Sequence, residues 1–131
     1  ILSLGEIDCR HDGGMWPHHK KTGKPLEDIL ADTIIPAAEF LKEHQNTHHF
    51  IVTNVPAPSQ EKEKLFKELW SEEDWPTYAQ MVKNANQLWA EQAAKYGWHV
   101  IDLETLTQEK PNLYLDGNHL KPEALGLALQ Y

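Results

Sequence analysis

The chain has 131 residues, 40% of them hydrophobic, and 20 acidic against 12 basic side chains give a formal net charge of −8. That length suits a single domain over residues 1–131, and the apolar fraction is enough to build a core. The acidic balance works against non-specific nucleic-acid binding and against anionic membranes, no basic stripe offsets it, and no apolar run approaches the roughly 20 residues that span a bilayer.

Ile1 to Leu4 form a short apolar run ending at Gly5, which predicts a buried strand. A strand at the very first residues is unusual, and the chain lacks an initiating Met and a charged leader, so it reads as a piece of something longer. Residues 9–24 are polar, contain Gly13 and Gly14, and predict a loop. From Leu26, apolar residues recur at helical spacing through Ile29, Leu30, Ile34, Ala38 and Leu41. Pro36 falls inside that pattern and is expected to kink or divide the helix.

Residues 50–55 predict a second strand, stopped by Pro56 and Pro58. A short helix is expected from Gln60 to about Trp70, with the charge run 61–64 on its solvated surface. A longer helix opens at Asp74-Trp75-Pro76 and closes at Gly97. Residues 98–103 predict a third strand, and Pro122 a final helix. Strands alternating with helices imply an α/β fold with a parallel sheet and right-handed crossovers. Ligands in such sheets sit beyond the carboxyl ends of the strands, where residues 5–10, residues 54–59 and the loop before His119 all fall.

The best chemical motif is Asp116-Gly117-Asn118-His119. A carboxylate three residues before an imidazole can hold it in one tautomer and leave the other ring nitrogen as a general base. The single Cys9 excludes an intrachain disulfide and a multi-cysteine zinc site, and it weighs slightly toward a reducing, cytoplasmic compartment. The adjacent pairs His18-His19 and His48-His49 diverge in direction and lack a carboxylate at helical spacing, so no metal and no cofactor are expected. The tryptophans Trp70, Trp75, Trp89 and Trp98 read as core, while Trp16 beside Pro17 could line a sugar or acyl site.

Asp116 to His119, with an apolar, strand-like run before it and Leu120-Lys121-Pro122 after it, resembles the last conserved block of the SGNH/GDSL hydrolases. Gly5-Glu6-Ile7-Asp8 resembles the family's Gly-x-Asn-Asp block in part, with Ile7 where the oxyanion-hole asparagine usually stands. Continued to Cys9-Arg10, the string is similar to the GSCFA branch, which is associated with bacterial polysaccharide and surface-glycan proteins. The resemblance covers the later half of the family's domain. It implies a three-layer α/β/α, flavodoxin-like fold lacking its first strands. It implies a hydrolase or acyltransferase for ester-linked acyl groups, such as those on glycans, with the serine outside this chain. Neither Ser3, inside a strand, nor Ser59, after a proline-rich turn, has the setting of a reactive serine.

Under that resemblance His119 is the base and Asp116 its orienter. Gly5, Asp8, Arg10 and Asn54 border the substrate and oxyanion region, with Arg10 able to grip an anion in a fork. Ile7 cannot donate a hydrogen bond, so backbone N–H groups would have to serve the oxyanion. Cys9 is an alternative nucleophile. The rival reading is a non-catalytic binding or assembly module on the same fold. The expected partner is a small-molecule or glycan ester. The strand at Ile1 to Leu4 is an exposed edge that could pair with another chain or a missing N-terminal segment.

Overall fold

The structure is a computed structural model that describes residues 2–6, 8–45, 49–116 and 119–130. Three short strands, β1 (Leu2–Ser3), β2 (Ile51–Thr53) and β3 (His99–Ile101), form a parallel sheet in the order β1-β2-β3. Among the described residues six α-helices accompany them: α1 (Met15–Thr22), α2 (Leu26–Glu43), α3 (Gln60–Leu69), α4 (Trp75–Tyr96), α5 (Leu103–Glu109) and α6 (Glu123–Ala128). The protein is therefore mixed α/β, with the expected parallel pairing. Both edges of the sheet, β1 and β3, carry one strand partner each among the described residues.

Side-chain alternation divides the core. Leu2, Val52 and Val100 share one register row and belong to the larger cluster, with Ile29, Ile34 and Ala38 of α2 and Met81, Ala85 and Trp89 of α4. The next row is Ser3, Thr53 and Ile101, and Ile101 belongs to a second cluster with Leu106, Leu113, Ala124 and Ala128. Successive strand residues face opposite ways, so one residue's advance along β3 moves from one core to the other.

Four sequence expectations are corrected. Residues 9–24 are not all loop: α1 forms within them because Met15 and Trp16 bury at its start. Pro17 is tolerated there in the first turn, and Gly23 ends the helix in a left-handed conformation. Pro36 does not divide α2, whose buried stripe continues on both sides of it. Burial against α4 outweighs the lost backbone bond. Leu103 is not strand but the start of α5, because the Asp102 side chain accepts the Thr105 N–H at 3.1 Å and caps a helix. The apolar run before Asp116 is not a strand either. Pro111–Leu113 is a 3₁₀ turn, and Tyr114 makes one antiparallel bridge to Leu120.

Trp16 is also core rather than lining. It is 1% exposed and packs edge-on against Trp70 and Tyr78 and tilted against Phe66. No helix among the described residues is long and apolar enough to cross a membrane.

Candidate functional site

The Asp116–His119 pair forms as its spacing suggests. The His119 N–H donates to Asp116 Oδ1 at 2.8 Å, and His119 Nδ1 lies 3.0 Å from Oδ2 and 3.1 Å from Oδ1. A carboxylate only accepts, so the contact places a proton on Nδ1, and in the neutral ring Nε2 then keeps its lone pair. The Leu115 N–H donates to the His119 carbonyl at 2.8 Å and closes the loop. Both side chains are open to solvent, 65% for His119 and 53% for Asp116. Gly117 and Asn118 lie outside the described residues.

The first loop is built around a glycine that composition does not single out. At Gly14, φ is 76°, and an added Cβ would stand 2.4 Å from the Asp8 carbonyl oxygen. That close approach lets the Met15 N–H donate to Asp8 O at 2.9 Å, tying the start of α1 to the loop after β1. Gly5, at φ 85°, would bring its Cβ to 3.1 Å from Trp89 Nε1 and 3.4 Å from Val55 Cγ2. The closeness it permits is thus to the protein's own indole. Ile7 lies outside the described residues.

Arg10 meets its carboxylate within the chain. Its Nε donates to Glu6 Oε1 at 2.9 Å and a terminal nitrogen donates to Oε2 at 3.2 Å. Asp8 is half-buried in the same loop. Cys9 is 2% exposed, and its carbonyl accepts the Tyr78 hydroxyl. Burial, then the nearby charge of Asp8, pushes the Cys9 thiol up to about 12, so it is a neutral thiol at ordinary pH.

Asn54 is held in the fold. Its Nδ2 donates to Asp102 Oδ1 at 2.9 Å, and its Oδ1 accepts the Glu104 N–H at 3.1 Å. The amide thereby ties the end of β2 to the start of α5. Burial raises the Asp102 carboxyl, but bonds from Thr105, Asn54 and the α5 backbone outweigh it and hold the group below the usual carboxylate range. Ser59 caps α3, its Oγ accepting the Lys62 N–H at 3.0 Å, and Ser3 is exposed on β1.

A small crevice lies where these loops meet. One wall is Glu6 and Cys9, after β1, and another is residues 55–58, after β2. Tyr114, from the loop leading to Asp116 and His119, forms a third. Tyr78, Val82 and Lys62 complete it. It offers about 30 Å³ to the centre of a water molecule, room for roughly two waters. Asp116 and His119 stand outside this lining.

Lys62 is the residue that sequence reading missed. It was expected on a solvated face, yet it is 8% exposed while Leu65 and Leu69 of the same helix are 38% and 56% exposed. Lys62 and Phe66 share the buried face four residues apart. Burial lowers the Lys62 ammonium, with Arg10 adding to the effect and Glu6, Asp12 and Cys9 opposing it. His11, 8% exposed, is lowered by burial and then by the Lys62 charge, with Asp12 opposing. An i, i+4 pairing of Lys62 with Phe66 is a signal too common to have been noticed alone.

Comparison with known proteins returns no match, neither to a family model, nor to a curated protein, nor to a solved structure.

Proposed function

We propose that this chain carries the acid–base part of an SGNH-type ester hydrolase or acyltransferase, acting on ester-linked acyl groups such as those on glycans. The observation that carries the reading is the Asp116–His119 pair, bonded through Nδ1 with Nε2 left as an acceptor, on the loop that contributes Tyr114 to the crevice. In this reading the sheet is part of a three-layer α/β/α arrangement continued past β1. The serine comes from outside residues 1–131.

The chemistry is proton transfer in two directions. His119 Nε2 takes the serine proton as the oxygen attacks the acyl carbonyl, and Asp116 stabilises the imidazolium. The imidazolium then protonates the departing alcohol. Water, or a second alcohol, repeats the sequence to release the acyl group.

A second reading, a non-catalytic binding or assembly module, is favoured by one set of contacts. Asn54 is bonded to Asp102 and Glu104, Arg10 to Glu6, and Gly5 is packed against Trp89. Treating the natural gene product with a fluorophosphonate distinguishes the two. The hydrolase reading expects one phosphonylated serine by mass spectrometry, and its loss in His119→Ala. A protein that takes no label is the binding module.

A further inference from the structure

We infer that residues 10–13 form a latch that mild acid opens, with His11 the buried group whose protonation releases Trp70. The latch requires neither reading of the Asp116–His119 pair. It acts on the loop after β1, and Arg10 of the same stretch is forked to Glu6 of the crevice lining at 2.9 and 3.2 Å. Acid is thereby coupled to the crevice wall.

Both ends of the stretch are fixed. Before it, Cys9 is buried, and its carbonyl accepts the Tyr78 hydroxyl. After it, the Met15 N–H donates to Asp8 O at 2.9 Å, and Met15 itself is buried. Between these anchors the backbone is irregular, Asp12 is exposed, and an added Cβ at Gly13 meets nothing within 4 Å. Gly13 and the positive φ of Gly14 let the stretch turn outward while its anchors stay in place. His11 holds it inward: the residue is 8% exposed, and its carbonyl accepts the Trp70 indole N–H at 2.7 Å.

His11 Nδ1 is buried and has no hydrogen-bond partner among the described residues. A neutral ring can keep that nitrogen without a proton, but an imidazolium carries a proton on both nitrogens. Acid therefore puts an N–H and a positive charge where no described group accepts them. Lys62 of α3 adds a second positive charge nearby, Asp12 of the same loop opposes it, and Trp70 at the end of α3 is uncharged. From α1, His19 tilts against Trp16, but its Nδ1 lies 2.7 Å from the Lys24 carbonyl and directs its proton there. Burial first, then Lys62, lowers the His11 imidazole in the closed latch, while in the open latch it returns toward the usual value of about 6.5. The closed form is therefore fully favoured above about pH 6.5 and progressively less as pH falls toward the closed value.

The test is hydrogen exchange at the Trp70 indole N–H, followed by NMR from about pH 8 to about pH 5 and corrected for the intrinsic pH dependence of exchange. Its protection should be constant above about pH 7 and fall roughly ten-fold or more between about pH 7 and pH 5. The Cys9 amide, bonded to Gly5 O at 2.9 Å, should keep its protection throughout. In His11→Gln, checked for a native spectrum, the fall at Trp70 should disappear. If His11→Gln does not fold, the His11 ring of the unaltered protein decides, and it should titrate below about 6.5. Constant Trp70 protection down to about pH 5 overturns the inference, as does an equal fall in His11→Gln. An equal loss at the Cys9 amide, or a His11 ring that titrates at or above the usual value, overturns it as well.

Discussion

Asn86, in the middle of α4, makes both backbone bonds of Val55. The Val55 N–H donates to Asn86 Oδ1 at 2.8 Å, and Asn86 Nδ2 donates to the Val55 carbonyl at 2.8 Å. Asn86 Nδ2 also reaches Glu104 Oε2 at 3.0 Å. One side chain thus satisfies a backbone pair just past β2 and fixes the wall of the crevice. In Asn86→Leu the Val55 groups lose their partner in a buried place. The loss should be about 2–4 kcal/mol in urea denaturation. A change under about 0.5 kcal/mol would show that water replaces the amide.

Gly14→Ala should destabilise more than Gly23→Ala. Both glycines have positive φ: Gly23 is left-handed at φ 73°, ψ 4°, where an alanine costs roughly 1–2 kcal/mol, and Gly14 at φ 76°, ψ −137° lies in a region that glycine alone enters readily and costs an alanine at least as much. Gly14 alone adds a clash with Asp8 O, while an added Cβ at Gly23 meets nothing within 4 Å. The two denaturation midpoints make the comparison, and equal midpoints would refute the clash.

Cys9 should be inert in the native protein. Buried, with its thiol pushed up to about 12, it offers almost no thiolate at pH 8. Iodoacetamide should modify it slowly until urea opens the fold, then quickly. Fast native modification would put Cys9 back among the candidate nucleophiles.

Asp102 gives a pH signature. Its folded carboxyl lies below its usual range, so its contribution is complete above the unfolded value of about 4 and is lost as pH falls through the folded value. Asp102→Ala should cost about 1 kcal/mol or more at pH 7 through the lost helix cap. The gap between the two proteins should shrink below about pH 4. A gap constant from pH 7 to pH 3 would mean that the carboxylate's charge does not matter.

Much of the fold was legible because it rests on periodicity. The stripe of α4 and its Gly97 cap follow from spacing and chain chemistry, as do the three strands. Three features were hidden for physical reasons. α1 is polar in composition but anchored by Met15 and Trp16, and α5 depends on an Asp102 cap that follows a strand directly. Lys62 lies inward because the apolar wall of the crevice and Phe66 set the rotation of α3, leaving Leu65 and Leu69 outside. The Asp116–His119 pair was legible because three-residue spacing suffices to bring its atoms together. Asn54 was not legible as a structural tie, since its partners lie 48 and 50 residues away.

The most direct measurement is turnover of p-nitrophenyl acetate by the natural gene product, beside its His119→Ala and Asp116→Asn variants. Ester hydrolysis that falls on the order of 10²–10⁴-fold in each, with the fold intact, is the predicted result. Turnover unchanged by either substitution would contradict the assignment of this pair as general base and orienter.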